Sequence, residues 1–319
     1  MKNNYNFFQL DLCLDEGMRA KMQKSLNGIL IINKQKGYTS HDVIAKLRKI
    51  LNTKKIGHTG TLDPNATGVL PILINQGTKL SAYLMEHDKE YEVTLKLGIR
   101  TDTFDEEGKI LEKVNVDFNK LEPVEKVLES FIGRQSQIPP MYSAIKVNGK
   151  KLYEYARSGK KVEIEPRNIE IYGIKLQRIN TNENEIHFMV KCSKGTYIRS
   201  LCVDIAKKLG TIGYMKELNR TKVGNFFIEN SVTLEKLENN YETLEKNIIT
   251  FQRFFEKRPN IYLTNSELSK FLNGVKINKV YENGIYNIYK NKEYIGIGKI
   301  EGNMLKREIV IIKNEFKNL

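Results

Sequence analysis

The chain has 319 residues, enough for one large domain with a small one, or for two of medium size, each with a real core. Its 52 Lys and Arg against 38 Asp and Glu leave a formal charge of +14, which points first to a nucleic acid, although abundant Lys, Asn and Ile also fit a lysine-rich compositional bias. Three cysteines (Cys13, Cys192, Cys202) without a CxxC pair argue against a zinc site or a disulfide framework and suit a reducing cytoplasm, while no apolar run nears the ~18 residues of a membrane span and no signal-peptide pattern opens the chain.

Residues 1–26 alternate loosely (Phe7, Phe8, Leu10, Leu12, Leu14), then turn charged, and read as a flexible tail. Gly28–Asn33 is a short apolar strand. Thr39 opens a helix with Asp42 at the capping-box position, and Val43, Ile44, Leu47, Ile50 and Leu51 fall on one face. Residues 53–68 form a Gly- and Thr-rich loop before a buried strand, Val69–Ile74. A short helix near 78–86 and a strand near 90–97 follow. Asn119–Ile132 reads as an amphipathic helix ended by Gly133.

From Pro139 the pattern breaks. Lys146, Lys150, Lys151, Arg157, Lys160 and Lys161 face only Glu154 and interleave with Tyr142, Tyr153 and Tyr155. Such a stretch is either a solvated hairpin or a nucleic-acid contact, and its length, charge and aromatics favour the contact. Strand alternation returns over Val162–Ile179 and Ile186–Cys192, then a helix over Thr196–Leu209 and a strand near Val223–Ile228. Residues 240–258 are polar and read as a linker. A helix (Ser266–Phe271) and strands at Val275–Ile277, Ile285–Tyr289, Tyr294–Lys299 and Ile309–Ile312 suggest a compact β-barrel of about 60 residues. The whole is α+β.

Three places invite chemistry. Gly57-His58-Thr59-Gly60-Thr61-Leu62-Asp63-Pro64-Asn65-Ala66-Thr67-Gly68 holds a carboxylate on a loop that Pro64 stiffens and three glycines tighten. That suits nucleophilic or acid–base work, but an Asp–Pro turn between glycines is also an ordinary turn. The same loop matches neither phosphate-binding glycine motif. In Cys192-Ser193-Lys194-Gly195-Thr196-Tyr197-Ile198-Arg199, Arg199 enters the first turn of a helix, where a cation opposes the dipole unless an anion partners it. Alternation in Lys89-Glu90-Tyr91-Glu92-Val93 turns Tyr91 inward, as a core tyrosine or as a site residue.

Taken together, these residues resemble the TruB family of tRNA pseudouridine-55 synthases. The blocks N-G-I-L-I-I-N-K (27–34), G-H-T-G-T-L-D-P-N-A-T-G (57–68), K-E-Y (89–91) and R-T-D-T-F-D (100–105) stand in family order. So do Q-I-P-P-M-Y-S-A-I-K (137–146), K-L-Y-E-Y-A-R (151–157), C-S-K-G-T-Y-I-R-S-L (192–201) and E-L-N-R (217–220). The resemblance implies a pseudouridine synthase fold, a mixed sheet flanked by helices around a central RNA cleft. It places the catalytic domain over 27–250, an RNA-clamping insertion over 139–170, and a small β-barrel PUA-like RNA-binding domain over 258–319.

It also implies roles. Asp63 is the catalytic carboxylate, Arg199 its partner, and Tyr91 packs on the uracil and is a candidate proton acceptor. Tyr197 and Leu218 line the base pocket, His58 takes the space of the flipped base, and Lys34 belongs to the substrate site. From the charge of the basic stretch, not from the resemblance, Lys150, Lys151 and Lys160 are expected to hold RNA backbone. Gln35 departs from the family's usual proline and loosens that turn. No cofactor and no metal are expected. The partner is the T-stem and loop of tRNA, met by a cytoplasmic monomer with no membrane contact. A relative working with guide RNA is the alternative; the short C-terminal unit and the R-T-D-T-F-D block favour the stand-alone bacterial form.

Overall fold

The computed structural model describes residues 26–311 except Lys161 and Asn239. The expected tail lies outside these residues, apart from Leu26, which is buried in the core. The strands are β1 Gly28–Lys34, β2 Ile56–His58, β3 Thr67–Ile74, β4 Lys89–Leu97, β5 Ile99–Thr101, β6 Ile110–Lys113, β7 Gly133–Gln137, β8 Lys146–Val147, β9 Lys150–Lys151, β10 Arg167–Asn180, β11 Glu185–Cys192, β12 Gly213–Val223 and β13 Phe226–Phe227. The C-terminal unit adds β14 Asn260–Tyr262, β15 Ile277–Asn278, β16 Gly284–Lys290, β17 Glu293–Glu301 and β18 Met304–Val310. The helices are α1 Ser40–Ile50, α2 Ser81–Met85, α3 Val124–Glu129, α4 Leu152–Arg157, α5 Ile198–Lys208, α6 Leu234–Glu238, α7 Tyr241–Asn247, α8 Phe251–Phe254 and α9 Asn265–Leu272.

A nine-stranded mixed sheet carries the body, in the order β1-β3-β12-β4-β11-β10-β7, with β2 on β3 and β13 on β12. Neighbours are antiparallel except β3 and β12, which run parallel and pair Thr67 with Asn219 and Gly68 with Arg220. Alternation along β1 sends Leu30 and Ile32 into one core, with α1 and α5, and Ile29 and Ile31 into a second. The second core also takes Ile297 and Ile309, so the C-terminal sheet packs on the body through apolar contact. That sheet, β14-β16-β17-β18-β15, curls into a half-barrel consistent with a PUA-like unit. Gly302 and Asn303, both at positive φ, make the two-residue turn between β17 and β18. Among the described residues no helix is long and apolar enough to cross a membrane.

The capping box forms as expected: the Thr39 hydroxyl accepts from Asp42 N (3.0 Å), and the Asp42 carboxylate accepts from Thr39 N (2.8 Å). Four expectations change. The helix read over 119–132 is a short 3₁₀ turn followed by α3, because Pro123 lacks an N–H and holds Glu122 out of the helical region. The strand read from Val162 begins at Arg167, after Pro166. The strand read at 223–228 is only the end of a hairpin whose main arm is β12. Two bulges in β12, at Lys216 and Thr221, break the period that would have revealed it.

The 240–258 stretch is no free linker. Ile249 exchanges backbone bonds with Ile29 (2.8 and 2.9 Å), and Val232 bonds with Ile31 and Asn33, so this segment covers the otherwise open edge of β1. Leu244, Ile248, Phe251 and Phe255 are buried beneath its charges.

Candidate active site

Asp63 sits on the loop between β2 and β3, and the loop is held from three sides. The Ser40 hydroxyl, at the start of α1, accepts from Leu62 N (3.0 Å) and donates to Leu62 O (3.2 Å). Lys34, fully buried at the end of β1, donates to Pro64 O (3.0 Å), Tyr38 O (2.6 Å) and Gln35 O (3.1 Å). Burial brings its ammonium down to about 8, with the Asp63 charge opposing the shift. Lys34 therefore ties the loop and the Gln35 turn together by backbone carbonyls.

The third support is Arg220, 1% exposed in β12. Its Nε donates to Val69 O (2.7 Å) and its Nη2 to Gly60 O (2.8 Å). Gly60 takes φ +76° above this guanidinium, a conformation that glycine adopts without a steric cost. At Gly68 a side chain is excluded outright, since a Cβ would lie 2.2 Å from Arg220 O across the parallel ladder.

Arg199 enters the first turn of α5, as expected, and its side chain is 8% exposed. Its fork meets Asp63 twice: Nε lies 3.0 Å from Oδ2, and Nη2 donates to Oδ1 at 3.3 Å. Nη1 reaches the Asp105 carboxylate (3.4 Å) and Thr103 O (3.2 Å), and Nη2 also donates to Tyr142 O (2.9 Å). Two carboxylates and two carbonyls thus offset the cost of a buried cation at a helix N-terminus. Phe104, between Thr103 and Asp105, takes φ +66°, a strained setting for a bulky residue. Its carbonyl is fixed by Met215 N of β12 (3.0 Å).

The Asp63 side chain keeps 35% of its surface open. It faces a pocket shared with Ala66, Asp105, Glu107, Met215 and Leu218. Burial pushes its carboxyl above the ordinary range and Asp105 adds to that, while the Arg199 guanidinium and Lys34 pull it down. Tyr91, 7% exposed, pairs in register with Arg220 across β4 and β12. Burial raises its hydroxyl to about 12 against the pull of Arg220. Tyr197 caps α5, and Gln137 brackets its backbone, accepting from N (2.8 Å) and donating to O (3.1 Å). His58 lies edge-on to His41 (centroids 5.8 Å apart), and its buried Nδ1 has no partner among the described residues. Burial lowers its pKa to about 4, so the ring is neutral at pH 7.

The structure therefore brings Asp63 and Leu218 to one pocket, with Arg199 paired to Asp63 and Tyr91 close enough to feel the Asp63 charge. Lys150, Lys151 and Lys160 stand away from it on the insertion. Lys150 and Lys160 are exposed; Lys151 and Arg157 lie over the Tyr153 ring at 5.3 and 5.4 Å. Arg220 and Asp105 are the structural partners that residue-level reading left without a role. Both stood inside motif blocks, at the ends of E-L-N-R and R-T-D-T-F-D, which was the signal available.

Replacing Arg199 by Lys keeps a charge but loses the planar fork that serves two carboxylates and two carbonyls. Turnover is expected to fall by about 10²–10³-fold, the range seen when one preorganised donor is lost. Single-turnover assays with a matched thermal melt check this, and full activity would reduce Arg199 to an ordinary ion pair.

The site is thus a carboxylate held by an arginine fork on the loop between β2 and β3, opening on a small pocket. Solved structures share the fold. The Cbf5-Nop10-Gar1 complex aligns at TM-score 0.63 and 26% identity, over 92% of this chain and 86% of that one. An H/ACA RNP bound to a substrate RNA containing 2′-deoxyuridine aligns at 0.64 and 24%, over 92% and 88%. Residues 48–198 match the N-terminal domain of the TruB family pseudouridylate synthases, and residues 199–256 the tRNA pseudouridylate synthase B C-terminal domain.

The chain belongs to the TruB family. A relative from Caldanaerobacter subterraneus subsp. tengcongensis, named tRNA pseudouridine synthase B, is 45% identical over 285 residues, 88% of this chain and 98% of its own. One of the same name from Staphylococcus aureus (strain MSSA476) is 47% identical over 262 residues, 79% and 86%.

Proposed function

We propose that this enzyme converts uridine 55 in the T-loop of tRNA to pseudouridine, with Asp63 as the reacting carboxylate. The observation that carries the reading is the two-point Asp63–Arg199 pair opening on the Leu218 pocket. The reaction breaks the C1′–N1 bond, turns the uracil, joins C1′ to C5 and moves one proton from C5 to N1. Atoms are conserved, so no redox cofactor or energy source is needed. Glycosidases protonate a poor leaving group with a second carboxylic acid; uracil leaves as a resonance-stabilised anion and has less need of one. Asp63 acts either by adding to the ring or by promoting elimination to a glycal at the sugar.

The uridine must leave its stack, at a cost of a few kcal/mol. Neutral His58 filling the gap, Tyr91 on the uracil face, and Tyr197 and Leu218 around it would offset that cost. A phenol raised to about 12 suits stacking better than proton abstraction at pH 7. We place the catalytic domain over 27–250, the clamping insertion over 139–170 and the PUA-like RNA-binding domain over 258–319. The relatives named tRNA pseudouridine synthase B are 45% and 47% identical to this chain, against 24% and 26% for the H/ACA and Cbf5 structures, which favours an enzyme acting on tRNA over a guide-RNA enzyme, and we take it to be a stand-alone cytoplasmic monomer. Pure protein incubated with unmodified tRNA should yield pseudouridine at position 55 by site mapping. Formation elsewhere, or only with a guide RNA added, would overturn the reading.

In the insertion, changing Lys150, Lys151 and Lys160 to Ala should weaken tRNA binding and lower the log–log salt slope by about 0.7 to 0.9 per lost phosphate contact. Turnover at saturating tRNA should fall less, since these residues stand away from Asp63. Dissociation constants at several salt concentrations decide it; an unchanged slope would make the insertion a solvated hairpin.

A further inference from the structure

A second cleft opens behind β1, where the 228–258 segment meets β13. The apolar residues at its back, Ile31, Phe226 and Phe255, belong to the second core, whereas Tyr91 and Leu218 belong to the first. Ile31 and Ile32 point to opposite faces of β1, so the sheet lies between this cleft and the catalytic pocket. Its rim carries Arg253, Lys257 and Arg258 on α8 and the turn after it. None of the three forms an ion pair among the described residues, whereas Lys246 on the same cleft is paired with Glu242 (3.0 Å). Glu229 and Glu256 line the same cleft, so the three unpaired cations leave it with a small positive excess, which favours an anionic partner.

The cleft is also lined by aromatic rings. Phe227 is 41% exposed, with Lys222 Nζ 4.6 Å from its ring centroid, and Phe226 stacks on Phe254 at 21°. Asn225, Asn230 and Ser231 line the space between, offering neutral donors and acceptors. His87, at the inner end, buries an Nδ1 that has no partner among the described residues. Free cations for phosphate, an open ring for a base and neutral polar groups for base edges are the elements of a strand-binding groove.

We infer that this rear cleft binds a segment of the tRNA outside the T-arm, through phosphate contacts to Arg253, Lys257 and Arg258 and stacking on Phe227. The inference rests on tRNA being the substrate. It separates two RNAs that the catalytic pocket alone would treat alike, the full-length tRNA and an isolated T-arm hairpin.

The test compares the two RNAs on the full chain. Arg253→Ala, Lys257→Ala and Arg258→Ala together should weaken full-length tRNA binding at least tenfold and lower its salt slope by about 2. Hairpin affinity and turnover should stay as in the parent. Phe227→Ala alone, which changes no charge, should weaken full-length tRNA about fivefold with the slope unchanged. A control removing the exposed Lys113, Lys120 and Lys126 sets the effect of net charge. Unaltered full-length binding, an equal loss on the hairpin, or an equal loss in the control would each overturn the inference. Hairpin turnover reports separately on the proposed reaction: its absence in the parent would sink that reading, and the binding comparison would still stand.

Discussion

Asp63→Asn is expected to abolish turnover, by on the order of 10⁴-fold or more, while the fold and tRNA binding persist. The amide keeps the shape and, through its oxygen, one of the two contacts with the Arg199 fork, but can neither attack nor take a proton. Arg199 stays satisfied through Asp105, Thr103 O and Tyr142 O. Stability should hold or rise, and the sign follows from the pKa. Burial raises the folded-state carboxyl above its unfolded value. The folded protein therefore binds this proton more tightly, and ionising Asp63 costs stability progressively as pH rises from the unfolded value through the folded one. The neutral Asn removes that cost at any pH where Asp63 would be ionised.

By the same logic, parent activity should climb with pH through a midpoint above the ordinary aspartate range, because only the ionised form reacts. Single-turnover conversion, a thermal melt and a pH–rate profile check these points together. Appreciable conversion by the Asn variant would exclude Asp63 as the reacting group.

Arg220→Met is expected to be the most damaging change away from the reacting atoms. It deletes the donors to Val69 O and Gly60 O, in a setting only 1% exposed. The buried Val69 carbonyl left bare costs about 1–3 kcal/mol and the more exposed Gly60 carbonyl less, partly offset by no longer burying a charge. A net loss of about 2–4 kcal/mol should lower Tm by roughly 5–15 °C. Turnover should fall further than stability alone explains, since the loop bearing Asp63 rests on this guanidinium at Gly60. Arg220→Lys, which can keep one of the two bonds, should lie between parent and Met variant. An Arg220→Met enzyme with parental Tm and kcat would show that Lys34 and Ser40 suffice to hold the loop.

Several elements were legible before any coordinates because their signals are local. The capping box at Thr39 and Asp42, the alternation of Tyr91, Val93 and Leu95, and the α5 start, read at Thr196 and found with its cap at Tyr197, each depend on residues within one or two turns. Pro123 and Pro166 acted locally as well, but against a periodic pattern that looked continuous across them. The 240–258 segment misled for another reason. Its charges face solvent, while Leu244, Ile248 and Phe251 are buried by partners, β1 among them, some two hundred residues away in the chain.

The sequence by itself determined a carboxylate on a stiffened, glycine-rich loop, because proline and glycine act through neighbouring bonds, and the family blocks around that loop supplied its expected role. Only the tertiary structure decided which charges answer one another. Arg199 finds Asp63 across 136 residues and Asp105 across a strained turn, and Arg220 reaches Gly60 across 160. On an extended, bulged strand such as β12, polar residues turn inward or outward according to the neighbour on each side. Leu218 and Arg220 are buried there because Tyr91 and the Gly60–Gly68 loop pack against them, and no pattern within residues 213–223 encodes that packing.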